Sequence, residues 1–423
     1  MKVLLSAYSC LPKDGSEPGI GWNWAQCIAA NGHEVVVITR AVNRRRIEDF
    51  LESHPSQPVR FFFHDLSPLW QQIYKLPFGN YTYYSLWQYT AAQRALVLHS
   101  TERFDHVQHI TWGSFRVPSF MGRLNIPFIF GPVGGGEDTP RNLRRGLGWR
   151  GRLWDALRRI SNALMAPGMG FTYASASEIV ATTPETLSKI PAKFSRKSRS
   201  RQAVGIDPRG VFALSQRPLR EMAPRSSTRL ELLYVGRLLP WKGLHLILRA
   251  MAHVHGCNAQ MHLTVIGSGT DLSRLQRLSA SLKLDECVSW VSWMPREELI
   301  RQYSRFNLFV FPSLHDSGGM AVLEALMFGL PVVCLDLGGP GIAVNNSCGR
   351  VISTAGAGEE EVIAAIAQFL IEMVADRNKL HRLSESARER AAELTWQANV
   401  NSVYGEPIVP QPSQLEGVSS AKC

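Results

Sequence analysis

The chain has 423 residues, of which 45% are hydrophobic and 19% charged, and its formal net charge is +11. This length predicts two domains, each large enough to bury its own core, and the composition excludes a disordered chain. No run of about 20 apolar residues occurs, which argues against a membrane-spanning helix. The positive charge favours an acidic partner: nucleic acid, anionic lipid or a phosphorylated substrate.

The cysteines are scattered, form no C-x-x-C pair, and in several cases lie inside apolar runs. They are Cys10, Cys27, Cys257, Cys287, Cys334, Cys348 and Cys423. We interpret them as reduced core residues of a cytoplasmic protein, and no zinc site is indicated. The opening MKVLLSAYSC is interpreted as a first core strand rather than a signal peptide, because its apolar run is short.

The first elements read as a βαβ unit, with strands at 2–8 and 34–40 around a helix at 20–30. The glycines of the connecting segment, Gly15, Gly19 and Gly21, predict a flexible turn. Their spacing is not G-x-G-x-x-G, and the second strand ends without an acid, which disfavours a nicotinamide cofactor. An ordinary surface turn remains the alternative.

The rest of the first domain, 1–210, continues this alternation. Strands are predicted at 59–64, 106–111, 127–133 and 178–183, with a helix at 81–99. His109 lies near the carboxyl end of its strand, where functional residues collect in parallel sheets. A buried structural histidine is the alternative, and His106 is a weaker candidate. The glycines at 134–136 predict either a close backbone approach to a ligand or a mobile loop.

The segment 141–165 carries the strongest local charge in the sequence. Its basic residues are Arg141, Arg144, Arg145, Arg150, Arg152, Arg158 and Arg159. Leu153, Leu157, Ile160 and Leu164 recur at helical spacing, which predicts a basic amphipathic helix suited to an anionic membrane surface. Alternatively, the apolar stripe packs on the domain and leaves the arginines solvated.

A polar linker is predicted at 211–228, because this stretch lacks periodicity. The second domain, 229–394, repeats the alternation of strands and helices. Residues 395–406 are predicted to return to the first domain as a helix, and a disordered tail is expected at 407–423.

The most informative stretch is 308–333, where an apolar strand is followed by a glycine turn and a helix. Asp316, Ser317, Gly318 and Gly319 form the predicted turn, and the free amides at the helix start predict a phosphate site. Glu324 follows at a distance of about 7 Å along the helix axis, which suits a ribose attached to a diphosphate.

The acid-x7-acid spacing of Asp316 and Glu324, within PSLHDSGGMAVLEALMFGLPVV, resembles the nucleotide-sugar signature of retaining glycosyltransferases of family GT4. The family usually has Glu at the first position and Gly-aromatic-Gly after it, whereas this chain has Asp316 and Ser317-Gly318. The resemblance implies an α/β GT-B fold with two Rossmann-like, doubly wound domains that face a cleft. The first domain would bind the acceptor and the second the nucleotide sugar.

The resemblance also implies roles for individual residues. Arg237 and Lys242, in a Gly-Arg…Lys-Gly loop, would grip the diphosphate and stabilise the leaving group. His109 would lie beside the transferred sugar, Asp316 would bind sugar hydroxyls, and Glu324 the ribose. The remaining donor-binding residues would be Gly19, Gly21, Gly318, Gly319 and Met320. No metal or other cofactor is expected beyond the nucleotide sugar itself.

The sequence therefore predicts a retaining glycosyltransferase, with a glycan or lipid-linked acceptor in cell-surface or exopolysaccharide synthesis. We expect a cytoplasmic protein held at the inner face of the plasma membrane by the basic helix at 141–165. The alternatives are a sugar-nucleotide epimerase or a phosphorylase on the same fold, and a basic nucleic-acid-binding protein. The last is disfavoured because no nucleic-acid recognition motif is present.

Overall fold

The computed structural model describes residues 1–72, 74, 79–163, 168–207, 229–254 and 261–406, excluding the side chains of 161–163. The described chain forms two all-parallel sheets with helices packed against them. This confirms the predicted α/β architecture of two doubly wound domains. The predicted linker at 211–228 and the tail at 407–423 lie outside the described residues.

The first sheet has seven strands in the order β3-β2-β1-β4-β5-β6-β7. These are β1 (Lys2–Ala7), β2 (Glu34–Arg40), β3 (Val59–His64), β4 (His106–Thr111), β5 (Phe128–Val133), β6 (Glu178–Ala181) and β7 (Ser198–Ser200). Helices cover both faces, so central strands such as β1 and β5 are continuous buried runs rather than alternating ones. The helices are α1 (Ser16–Ala30), α2 (Arg44–Ser53), α3 (Pro68–Gln71), α4 (Gly79–Glu102), α5 (Gly148–Ala163), α6 (Met169–Ser175) and α7 (Pro184–Lys189).

The second sheet has six strands in the order β10-β9-β8-β11-β12-β13. These are β8 (Leu230–Val235), β9 (Met261–Ile266), β10 (Val288–Val291), β11 (Leu308–Phe311), β12 (Val332–Leu335) and β13 (Gly349–Ile352). The apolar runs of β11 and β12 are buried along their whole length. The helices are α8 (Leu244–His253), α9 (Leu272–Ser281), α10 (Arg296–Gln302), α11 (Met320–Met327), α12 (Gly338–Ala343), α13 (Glu359–Ala375), α14 (Arg377–Glu393) and α15 (Trp396–Tyr404).

Strand order reverses at one point in each sheet. In the first sheet β1 lies beside β4, and in the second β8 lies beside β11, with both pairs parallel. Chains leaving such a pair depart to opposite faces of the sheet, which opens a crevice at the carboxyl ends of the strands. Each domain therefore provides one crevice, and these crevices contribute most of the site described below.

The last described helix, α15, contacts the first domain. Ile206 N–H donates to Leu394 O at 2.9 Å where the chain crosses back. Tyr404 Oη donates to the buried Gln108 Oε1 of β4 at 2.7 Å, and Asn31 at the end of α1 bonds Asn401 at 3.1 Å. These polar contacts fix α15 against the first domain.

Two expectations about the first domain and the cysteines are wrong. Helix α1 begins at Ser16, so Gly19 and Gly21 lie inside it rather than in a flexible turn. They are needed for close packing, since a Cβ on Gly21 would lie 2.3 Å from Ser9 O and one on Gly19 2.3 Å from Asp14 O. Cys287 is disulfide-bonded, so the expectation of reduced cysteines is wrong for this residue. The spacing of cysteines along the sequence does not reveal which of them the fold brings together.

Candidate active site

A cavity of about 530 Å³ lies where the crevices of the two domains face each other. The first domain contributes residues from the start of α1 and from the ends of β4 and β5. The second contributes the loop after β8 and the turn before α11. Of the predicted site residues, the lining includes Arg237, Lys242, Asp316, Gly318, Gly319 and Met320.

Lys242 and Asp316 form an ion pair in this cavity between Nζ and Oδ2. The other oxygen of Asp316 accepts hydrogen bonds from Gly318 N–H at 3.2 Å and Gly319 N–H at 3.1 Å. Burial raises the pKa of Asp316, but Lys242 and the two amides outweigh it and leave this pKa below its ordinary value. Asp316 is therefore a fixed carboxylate that joins the cationic loop to the turn before α11.

The turn before α11 brings backbone amides to the cavity. Gly319 has φ +71°, a conformation that favours glycine, and a Cβ there would lie 3.0 Å from Pro340 Cγ. Asp316 occupies the amides of Gly318 and Gly319. The next two residues of the helix, Met320 and Ala321, also line the cavity. Arg237 also lines the cavity, its side chain is exposed, and no described ion pair involves it.

Glu324 lies one layer behind the cavity lining. It is 3% exposed, and its Oε1 lies 2.5 Å from Arg296 Nη1 as an ion pair without hydrogen-bond alignment. Tyr303 Oη donates to its Oε2 at 3.1 Å. The carboxylate that the resemblance assigns to a ribose is thus covered by an arginine from α10.

His109 is fully buried inside the first domain and is not among the described residues that line the cavity. Its Nε2 lies 3.2 Å from Tyr84 Oη and 3.3 Å from Trp112 O. Burial lowers its pKa to about 4, against the opposing effect of the Trp112 carbonyl. A neutral imidazole therefore supports the wall of the cavity from behind.

Glu17 is an acidic cavity residue that is not among the predicted site residues. It lies in the first turn of α1, and its Oε1 accepts from Gly113 N–H at 2.7 Å. Burial raises its pKa to about 7, and the Gly113 hydrogen bond only partly offsets this. An acid just before Gly19 was the only sequence signal for this site residue. The burial of Glu17 depends on the distant loop after β4, which local sequence does not show.

The glycines after β5 contact the second domain directly. Gly135 N–H donates to Ser317 Oγ at 3.1 Å, and Ser317 Oγ donates to Glu137 Oε2 at 2.6 Å. A Cβ on Gly134 would lie 2.7 Å from Ser317 Oγ. The triple glycine thus permits close contact between the domains at the rim of the cavity.

Helix α5 exposes the apolar stripe that the sequence predicted. The exposed fractions are 68% for Trp149, 54% for Leu153, 63% for Trp154, 50% for Leu157 and 61% for Ile160. The alternative, in which this stripe packs on the domain, is therefore wrong for these residues. The described helix ends at 163, so Leu164 lies outside the described residues.

A second cavity of about 690 Å³ lies between the start of α5 and helix α9. It shares Arg237, Leu239 and Trp241 with the first cavity, so the two adjoin. Its other aromatic and basic lining residues are Trp149, Trp154, Arg150, Arg274 and Arg277. An aromatic, cationic groove therefore leads from the first cavity to the exposed face of α5.

The described residues contain no group of three or more His, Cys, Asp or Glu side chains placed to hold a metal ion. None of their helices combines the length and apolar character needed to cross a bilayer.

Two family models match the chain. The model for glycosyl transferases group 1 matches residues 215–390, and the glycosyl transferase 4-like domain matches residues 20–202. The two matches cover the second and first domains, respectively.

Curated relatives match part of the chain. D-inositol 3-phosphate glycosyltransferase of Corynebacterium jeikeium is 31% identical over 178 residues, 40% of this chain and 41% of that protein. Glycogen synthase of Mycobacterium tuberculosis is 28% identical over 181 residues, 43% of this chain and 42% of that protein. The chain thus spans less than half the length of these two relatives.

Solved structures match nearly the whole fold. A glycosyltransferase from Rickettsia africae has a TM-score of 0.60 at 14% identity, covering 95% of this chain and 96% of that one. The Anabaena protein HepE, solved with UDP and glucose, has a TM-score of 0.56 at 17% identity, covering 95% and 97%. At these identities the likeness establishes the fold alone.

Proposed function

The chain belongs to the GT4-type glycosyltransferases of the GT-B fold, and on that premise we propose that it transfers a sugar from a nucleoside diphosphate donor to an acceptor hydroxyl between its domains. The observation that carries the proposal is the convergence of Arg237, Lys242 and the start of α11 on one cavity. Two cations and free amides suit a diphosphate, whose negative charge increases as the bond to the sugar breaks.

The donor would lie mainly against the second domain. Its diphosphate would contact Arg237, Lys242 and the amides of Met320 and Ala321. Asp316, held in place by Lys242, would present its carboxylate to the sugar hydroxyls. The ribose would reach Glu324, which requires the side chain of Arg296 to move from the carboxylate or to share it.

We further propose retention of the anomeric configuration, with the acceptor attacking from the face on which the diphosphate leaves. The leaving group would be stabilised by the cations and amides already named, so no metal or other cofactor is expected. His109 would act from behind the wall of the cavity through Tyr84 and the Trp112 carbonyl.

The proposed acceptor is a lipid-linked sugar or glycan intermediate of cell-surface polysaccharide synthesis. Support comes from the groove of tryptophans and arginines that runs from the donor cavity to α5. The groove suits an anionic headgroup attached to an apolar chain. The exposed stripe of α5, flanked by Arg150 and Arg152, would rest on the anionic inner face of the plasma membrane.

The test is a thermal-shift screen with UDP, GDP, ADP and the matching nucleotide sugars, followed by product analysis with lipid-linked acceptors. Stabilisation by one nucleoside diphosphate, lost in Arg237→Ala, is expected. If none of these ligands stabilises the protein, the proposed donor site is wrong. Conversion of the donor sugar into its epimer, without transfer, would instead identify an epimerase.

A further inference from the structure

Glu17 is an enclosed carboxylic acid at the boundary between the two domains. It lies at the start of α1 and faces the cavity that Arg237, Lys242 and Asp316 face from the other domain. Its Oε1 is held by Gly113 N–H at 2.7 Å. Within the described part of the chain no ion pair involves Glu17, and burial is the cause that raises its pKa, so this acid is not the usual partner of a buried ion pair.

The groups around Glu17 are consistent with a functional rather than a structural carboxyl. Burial is the largest cause of the raised pKa of Tyr84 in α4, and the nearby Glu17 raises this pKa further. Tyr84 is itself bonded to Gln88 and lies against His109. Across the cavity, Lys242 is already paired with Asp316. A carboxyl that titrates near neutral pH in a cleft is well suited to proton transfer.

We propose that Glu17 binds the acceptor hydroxyl and removes its proton during transfer, which rests on the proposed glycosyltransferase function. In that step the acceptor oxygen forms the new bond to the anomeric carbon, and the bond from this carbon to the diphosphate oxygen breaks. The electron pair of the broken bond leaves with the nucleoside diphosphate. The proton passes to the carboxylate of Glu17 and then to water.

This role places the acceptor at the carboxyl edge of the first sheet. Gly113 N–H fixes one oxygen of Glu17, which leaves the other available to a ligand in the cavity. The donor groups of the second domain lie opposite, so the acceptor oxygen would lie between Glu17 and the sugar. Catalysis would then require both halves of the cavity.

The experiment compares the wild-type protein with Glu17→Gln, whose amide oxygen can still accept from Gly113 N–H. UDP-glucose, UDP-galactose, UDP-N-acetylglucosamine, GDP-mannose and ADP-glucose are the donors, with water as the acceptor, and nucleotide release is followed from about pH 5.5 to about pH 8.5. Wild-type turnover should rise with pH through the neutral range as Glu17 loses its proton. The variant should be slower by about 100-fold or more and should lack this rise.

Calorimetric titration with the nucleoside diphosphates separates the possible failures. The affinity of Glu17→Gln should remain within about twofold of wild type. Asp14→Asn, which changes a neighbouring acid paired with Arg46, is the matched control and should behave as wild type. If Glu17→Gln has the turnover and the pH profile of the wild type, the role of Glu17 is wrong, whereas the proposed function is unaffected. Failure of the wild-type protein to bind any nucleoside diphosphate would overturn the proposed function.

Discussion

Ser317 of the second domain donates a hydrogen bond of 2.6 Å to Glu137 of the first. The other oxygen of Glu137 accepts from Thr183 at 2.6 Å and Thr186 at 2.9 Å, so contacts within the first domain hold this carboxylate in place. This bond lies at the rim of the donor cavity, beside the turn that carries Asp316. The hydrogen bond between Ser317 and Glu137 therefore links the contact between the domains to the position of Asp316 in the proposed site.

Ser317→Ala should shift the protein toward an open arrangement of its domains. A hydrogen bond to a charged group contributes about 1.5–3 kcal/mol, so the equilibrium constant for domain closure should fall by about tenfold or more. Small-angle X-ray scattering should show a larger radius of gyration than for the wild type. Ser281→Ala, at an exposed helix position, is the control. Scattering identical to wild type would show that this bond does not hold the domains together.

Lys242→Met should weaken nucleoside diphosphate binding by about 10- to 100-fold, because one charge-assisted contact is removed. It should also lower the unfolding free energy at neutral pH by about 1–3 kcal/mol, the paired side chains being 16% and 17% exposed. The folded-state pKa of Asp316 is depressed, so its stabilisation is present above its unfolded pKa and is lost as the pH falls through the folded value. Calorimetry and urea unfolding measure both effects, with Lys193→Met as control.

Glu324→Gln tests the ribose contact. Wild-type protein should bind UDP about tenfold more tightly than 3′-deoxy-UDP, since a buried carboxylate accepts well from a ribose hydroxyl. The variant should discriminate much less between the two ligands. Glu297→Gln, an exposed change on α10, should retain the wild-type ratio. Equal discrimination by the wild type and Glu324→Gln would mean that the ribose lies elsewhere.

Double replacement of Trp154 and Leu157 by serine should reduce binding to phosphatidylglycerol vesicles by about tenfold or more, because each side chain buries apolar surface worth about 1.5–3 kcal/mol. Replacing Arg150 and Arg152 by glutamine should reduce binding at low salt only, since surface charge is screened. Co-sedimentation measures both, with Arg305→Gln as control. If the wild-type protein stays in the supernatant at low salt, the membrane proposal fails.

His109 should make the protein less stable in acid. Its folded pKa of about 4 lies below the ordinary histidine value of 6.5, so the unfolded chain binds more protons between these values. The unfolding free energy should therefore fall as the pH drops from about 6.5 to about 4, with His109 contributing up to about 3 kcal/mol. His109→Gln should flatten this part of the profile, whereas the exposed His381→Gln should not. A slope unchanged by His109→Gln would contradict the assignment.

The architecture could be predicted because local sequence carries it directly. Strands such as β11 are covered on both faces, so they appear as uninterrupted apolar runs between turn residues. The start of α1 was missed because Gly19 and Gly21 are typical of turns, whereas here they allow the helix to approach the backbone near Ser9. Local sequence does not show such close approach.

The lining of the cavity could be predicted where residues follow the carboxyl ends of strands, and not where it depends on contacts between separate elements. Arg237, Lys242 and Asp316 follow strand ends that meet at the same edge of the sheet. The ion pair of Glu324 with Arg296, and the enclosure of Glu17 by the loop at Gly113, join residues from separate elements. Whether an acid is exposed or desolvated depends on these tertiary contacts.

Helix α15 has a consequence for how the protein is synthesised. Gln108 in the middle of the first sheet is fully buried and accepts from Tyr404, nearly 300 residues later in the chain. While the ribosome is still translating the second half, this oxygen lacks the hydrogen bond from Tyr404. The amino-terminal half therefore gains its contacts with α15 only when translation is almost finished, and a chain terminated early would lack them.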